Sequence, residues 1–145
     1  MPQYLTIVGN KVHMKKTFLT LTAVTFLCSC DPGADLEANI ENLTNQDLII
    51  EFVRSEQDLN KTLVIPTNET TLYEAFSDTG SDFLEPSIIQ FDSIVVRNNS
   101  GQILKVYKPN DNGKNIYNID EYWLLREPSE RFFEYEYEIN NEDLE

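Results

Sequence analysis

Apolar and polar residues alternate with a period of two along much of the chain after residue 35. Leu36, Ala38 and Ile40 alternate with Glu and Asn near the start of this region, and residues 133–139 alternate in the same way near its end. A period of two places successive side chains on opposite faces of a β-strand. Both segments therefore predict half-buried strands, and the second has an apolar core face (Phe133, Tyr135, Tyr137 and Ile139) and an acidic solvent face.

Further segments are rich in β-branched and aromatic residues and end at turn residues. These predicted strands span residues 48–54, 62–65, 70–76, 88–97 and 102–108. The sequence Asn98-Asn99-Ser100-Gly101 predicts a hairpin turn between the last two, because Asn and Gly adopt positive φ at little cost.

Residues 118–127 predict the one helical turn of the chain. Asn118 is a suitable N-cap, and the side chain of Glu121, three residues later, can hydrogen-bond back to the capping residue. Pro128 is a suitable C-terminal stop. A strand over residues 122–125 is the alternative. Six or seven short strands with at most this one turn predict an all-β fold, an antiparallel β-sandwich or a small barrel.

A leader precedes this domain. Lys15 and Lys16 are followed by an apolar stretch over residues 17–27, which suits a signal-peptide core and is too short to span a bilayer. It ends in Leu27-Cys28-Ser29-Cys30, which resembles a bacterial lipoprotein signal: an aliphatic residue, two small residues, and the cysteine that receives lipid. The resemblance implies removal of residues 14–29 and lipidation of Cys30. An ordinary secretory signal is the alternative.

The leader sets the predicted organisation of the chain. It is already complete from Met14, so residues 1–13 are interpreted as an upstream mis-start, with an unusually long positive region as the alternative. Residues 30–35 predict an acidic tether. Residues 36–145 predict a single β domain.

Charge and composition exclude several classes of function. The chain has 11 Lys+Arg against 25 Asp+Glu, which argues against a nucleic-acid partner. Removal of the leader would also remove His13, the only histidine, and Cys28. The remaining residues cannot form a His-based nucleophile system or the usual Cys/His zinc site. We therefore predict no catalytic residue, no cofactor and no metal site.

Carboxylates and aromatic rings remain as candidate chemistry. Glu134, Glu136 and Glu138 have a spacing of about 7 Å along a strand face, which suits a glycosidase pair, but alternating glutamates also keep a strand soluble. Asp111-Asn112-Gly113 offers oxygen ligands for calcium, although a hairpin turn explains it better.

Three aromatic residues fall together in the irregular segment 117–123. Tyr117, Tyr122 and Trp123 would stack on sugar rings if they were exposed, and a buried Trp that plugs one end of the sandwich is the alternative.

The strand over residues 135–139 and the segment Phe91-Asp92-Ser93-Ile94 resemble those of small, uncharacterised Bacteroidota lipoproteins. Asp92-Ser93-Ile94 also resembles their O-glycosylation triplet, which implies a sugar on Ser93. The resemblance implies a location in the cell envelope, at the outer membrane, facing the periplasm or the surface.

We therefore expect a lipid-anchored, non-catalytic envelope protein with a binding or structural role. Its expected partners are the membrane, through the lipid anchor, and an envelope protein or glycan. The alternative is a glycan- or calcium-binding module that uses the aromatic residues of segment 117–123.

Overall fold

The structure is a computed structural model, and it describes residues 33–56 and 60–144. Within these residues, eight strands form two four-stranded sheets. The strands are β1 (Gly33–Asn42), β2 (Leu48–Val53), β3 (Lys61–Ile65), β4 (Thr70–Thr79), β5 (Ser93–Asn98), β6 (Ile103–Tyr107), β7 (Leu124–Ser129) and β8 (Phe132–Ile139). The short helix α1 (Ile119–Tyr122) and two 3-10 turns, Ser87–Gln90 and Asn141–Leu144, complete the described elements.

The strand order is β4-β1-β8-β7 in the first sheet and β3-β2-β5-β6 in the second. Neighbouring strands are antiparallel with one exception, because β1 and β8 run parallel. In that parallel pair Leu36 lies opposite Phe133, and Glu41 lies opposite Glu138. The exception aligns glutamates of the two strands.

The core lies between the two sheets and is built from alternate residues of their strands. In β1 the buried residues are Ala34, Leu36, Ala38, Ile40 and Asn42. The rings of Phe52 in β2 and Tyr73 in β4 lie 4.9 Å apart between centroids, so side chains of both sheets meet directly. Apolar burial of this kind is the main source of stability in a sandwich.

The prediction of an all-β, sandwich-like fold is confirmed, and two open sheets take the place of the small-barrel alternative. The alternation in β8 is also confirmed, since Phe133, Tyr135, Tyr137 and Ile139 are buried. The described strands number eight instead of six or seven, because residues 124–129 form a strand as well.

Two predicted boundaries need correction. β1 begins at Gly33, so residues 33–35 of the predicted tether belong to the sheet, where Ala34 is buried and the Asp35 amide donates to the Arg131 carbonyl at 2.9 Å. The helical turn is confined to α1, the Asn118 side chain makes no capping bond, and Pro128 lies inside β7. β7 is an edge strand, and an edge position tolerates a proline that cannot donate to the ladder.

The predicted strand at 88–97 is shorter than expected. Its first residues belong to the 3-10 turn Ser87–Gln90, and β5 begins only at Ser93. The Glu74 carboxylate accepts hydrogen bonds from the Ser87 amide at 2.8 Å and from the Ser87 hydroxyl at 2.7 Å. This contact from β4 fixes the turn, and a neighbouring strand's side chain is not visible in the local pattern of residues 88–97.

Candidate functional site

Two of the three aromatic residues predicted to bind a ligand lie in the core. Tyr117 and Trp123 are 7% and 6% exposed, whereas Tyr122 is half-buried. The Trp123 indole N–H donates to the Ile116 carbonyl at 2.8 Å, and the Tyr117 hydroxyl donates to the Phe91 carbonyl at 3.1 Å. Burial raises the pKa of Tyr117 to about 12. The interpretation of these two rings as an exposed stacking platform is therefore corrected, and the alternative of a buried Trp describes Trp123.

An open groove of about 370 Å³ borders the remaining part of this segment. Its lining residues are Lys114, Glu121, Tyr122, Trp123, Leu124, Glu136 and Glu138. The fold thus brings Tyr122 and Trp123 next to two glutamates of β8. Tyr117 lines a different depression, beside Ile89 and Asn118. The three predicted residues do not form one surface.

A group of three carboxylates adjoins the groove. Glu41 of β1 and Glu136 and Glu138 of β8 each offer a carboxylate oxygen, and these oxygens all lie within 4.8 Å of one another. Desolvation raises the pKa of Glu41, and the negative charges of Glu136 and Glu138 raise it further. The sequence shows glutamates at positions 134, 136 and 138 of β8, but Glu41 joins the group only through the parallel pairing, which the local pattern of neither strand predicts.

The chemistry of this carboxylate group is that of an open acidic surface. Oxygen ligands suit Ca²⁺, but Glu138 is exposed and the other two are only half-buried. The Arg126 guanidinium lies 3.8 Å from the Glu136 carboxylate and neutralises part of the charge. Glu134, Glu136 and Glu138 stand side by side on one strand face, whereas a glycosidase needs two carboxyl groups that flank the scissile bond.

The polar loop at residues 110–115 is held as a turn by its own side chains. The Lys108 amide donates to the Asp111 carboxylate at 3.0 Å, and the Asn115 side chain donates to the Lys108 carbonyl at 2.7 Å. Gly113 has a φ of +84°, which favours glycine. These bonds fit the turn explanation better than a calcium loop.

Ser93 is half-buried at the start of β5. Ile94 and Val96 point into the core, so Ser93 lies with Val95 and Arg97 on the opposite, outer face of the second sheet. O-glycosylation of Ser93 stays a prediction. Cys30 lies outside the described residues. None of the helices in the described residues is long and apolar enough to cross a bilayer.

The two outer faces of the sandwich differ in chemistry. The outer face of the first sheet, which we call the acidic face, carries carboxylates from its two central strands: Asp35, Glu37, Glu41, Glu134, Glu136 and Glu138. The outer face of the second sheet, which we call the apolar face, carries aliphatic side chains: Ile49, Val53, Val64, Val95, Ile103 and Val106. Alternate residues of a strand lie on one face. Ile103 and Val106 are three positions apart in β6 and share the face because the register with β5 shifts between Val96 and Arg97.

No protein-family model matches this sequence, and comparisons with curated proteins and with solved structures give no significant match. The resemblance to Bacteroidota lipoproteins therefore stays a prediction from the sequence.

Proposed function

We propose that this chain is a lipid-anchored protein of the bacterial cell envelope that works by binding or as a structural element, without catalysis. The observation that carries the proposal is the position of Cys30. It ends the signal-like sequence Leu27-Cys28-Ser29-Cys30, and β1 begins at Gly33, only three residues later. Two or more acyl chains at such a cysteine hold a protein durably on a membrane.

The short distance along the chain restricts where the domain lies. Three residues span at most about 11 Å when fully extended, so the start of β1 stays close to the lipid headgroups. Thr79 pairs with Gly33, and the Arg131 carbonyl accepts a bond from Asp35. The end of the first sheet that contains these residues is therefore the end that we place nearest the membrane.

The surface chemistry supports a binding role. The carboxylates of the acidic face stand side by side on an open sheet, an arrangement that suits recognition or solubility better than bond cleavage. An acidic domain also disfavours nucleic acid, since phosphate recognition needs clustered Lys and Arg. An envelope protein or glycan is the partner class that we propose.

Glycan or calcium binding near residues 117–123 is the alternative function. The groove supports it in part, because Tyr122 and Trp123 line it together with Glu136 and Glu138. The burial of the Tyr117 and Trp123 rings weakens it, because stacking on a sugar requires an exposed ring face.

Lipidation of Cys30 tests the proposal directly. The full chain is expressed in a bacterial host with a labelled fatty acid, and label, cleavage and membrane association of the mature protein are measured. We expect the wild type to carry label in the membrane fraction and Cys30→Ser to lose both. Cys28→Ser is the matched control, because it changes the neighbouring cysteine and should keep the label. A labelled Cys30→Ser protein, or an unlabelled wild type, would contradict the proposal.

A further inference from the structure

The apolar face carries aliphatic side chains on all four strands of the second sheet, in one group on β2 and β3 and another on β5 and β6. Where β2 meets β5, Ile49 lies opposite Arg97 and Val95 lies opposite Glu51. Ile49 of β2 lies opposite Val64 of β3, and Val95 of β5 lies opposite Val106 of β6. Val64, Ile103 and Val106 are 58%, 50% and 37% exposed. A strand face adapted to water carries polar residues at these positions, as β8 does with its glutamates. Several exposed aliphatic residues on one sheet face are typical of an interaction surface.

The charges on this face cancel each other. Arg97 of β5 and Glu51 of β2 form an ion pair, with 2.9 Å between the Arg97 Nε and a Glu51 carboxylate oxygen. Both strands are central in the sheet, so the pair lies near the middle of the face. The acidic face, by contrast, repels any approaching acidic protein, and the chain as a whole has a net charge of −14. Another acidic protein therefore meets less repulsion at the apolar face than at the acidic face.

We propose that two copies of this chain pair face to face through their apolar faces. A two-fold interface must be self-complementary, so each group must find its complement on the same surface of the other copy. The ion pair meets this requirement. A two-fold axis that passes through the middle of the pair places Glu51 of one copy near Arg97 of the other. The aliphatic side chains around it then lose their contact with water, as they do where two sheets pack about 10 Å apart.

Thiol cross-linking in the full chain tests the pairing. Val95 lies opposite Glu51 on a central strand and thus close to the proposed axis. We expect Val95→Cys, treated with a short bifunctional maleimide in cells, to give a band of twice the mature mass. Glu134→Cys, on the acidic face, is the matched control and should stay monomeric. An unlipidated Cys30 would itself react with the maleimide. The parent chain, which lacks the introduced cysteine, is therefore treated in the same way, and a cross-linked band from it would indicate failure of lipidation and not pairing.

A second substitution at the interface shows whether the cross-link depends on apolar contact. In the Val95→Cys background, Val106→Glu should lower the cross-linked fraction about tenfold, because it buries an unpaired charge. Val106→Ile, and Leu72→Glu at an exposed apolar position of the first sheet, should leave the fraction unchanged. Thermal unfolding of each variant verifies the fold. The proposal is overturned if Val95→Cys cross-links no better than Glu134→Cys, or to a different protein, or if Val106→Glu has no effect.

Discussion

At the scale of the residue, Trp123 is a candidate ligand-binding residue in the sequence that the structure places in the core. Its ring centroid lies 5.3 Å from that of Tyr137 and 6.4 Å from that of Tyr73, which belong to different strands of the first sheet. Its indole N–H is satisfied by the Ile116 carbonyl. A buried tryptophan whose polar atom has a partner contributes to stability through both packing and the hydrogen bond.

Replacement of Trp123 by a small residue should therefore lower the stability of the domain. We expect Trp123→Ala to lower the free energy of unfolding by about 3–5 kcal/mol, the usual cost of removing a large buried aromatic side chain. Urea unfolding followed by circular dichroism measures the loss. Tyr122→Ala, at the half-buried neighbour, is the control and should cost much less. An unchanged stability in Trp123→Ala would return Trp123 to the list of ligand-binding candidates.

At the scale of the element, the parallel pairing of β1 with β8 carries an electrostatic cost. It places Glu41 opposite Glu138 and next to Glu136 on a sheet surface. Desolvation and these two negative charges raise the pKa of Glu41 above its ordinary value. The folded protein therefore binds this proton more tightly than the unfolded chain does, and its stability decreases as the pH rises through the raised pKa.

Glu41→Gln should remove this pH dependence. We expect the variant to be more stable than the wild type at pH 7 and to lose that advantage as the pH falls below the ordinary pKa of glutamate, where Glu41 is protonated in both states. Thermal unfolding from about pH 3.5 to about pH 7.5, a range that begins about one unit below that pKa, measures the difference. Glu69→Gln, in the exposed turn before β4, is the control. A wild type as stable as Glu41→Gln at pH 7 would show that the three carboxylates do not repel each other appreciably.

At the scale of the whole molecule, the two outer faces of the sandwich differ in charge, although exposed leucines such as Leu72 and Leu124 lie in the first sheet as well. Glutamates and aspartates collect on the outer face of one sheet, and aliphatic residues collect on the outer face of the other. With 25 acidic and 11 basic residues, like-charge repulsion opposes the compact state, and salt screens it.

The melting temperature should therefore increase with NaCl concentration. CaCl₂ at the same ionic strength separates screening from binding: equal increases in the two salts indicate screening alone and would remove the calcium alternative. A larger increase with CaCl₂ that Glu138→Gln abolishes would instead assign calcium to the carboxylate group. Differential scanning calorimetry of the purified protein measures the melting temperature in both salts. A melting temperature that falls with NaCl would contradict the screening argument.

The sequence by itself determined the class of fold and the inward residues of most strands. A period of two is a local property, so residues such as Leu36, Ile40 and Tyr137 could be assigned to the core without knowledge of their neighbours. The hairpin turn at residues 98–101 is local in the same sense, and Gly101 has a φ of +83°. The interpretation of Cys30 as a lipidation site also depends on adjacent residues alone.

Only the tertiary structure decided which strands are neighbours. The parallel contact of β1 with β8 joins residues almost a hundred positions apart, and no periodicity within either strand encodes it. That contact brought Glu41 to Glu136 and Glu138, and the antiparallel contact with β4 extended β1 back to Gly33, which lies opposite Thr79. Packing against distant strands likewise buried Tyr117 and Trp123 and placed the aliphatic residues of four strands on one open face. Local patterns assign a residue to a face, whereas the surface that several strands build together depends on their order in the sheet.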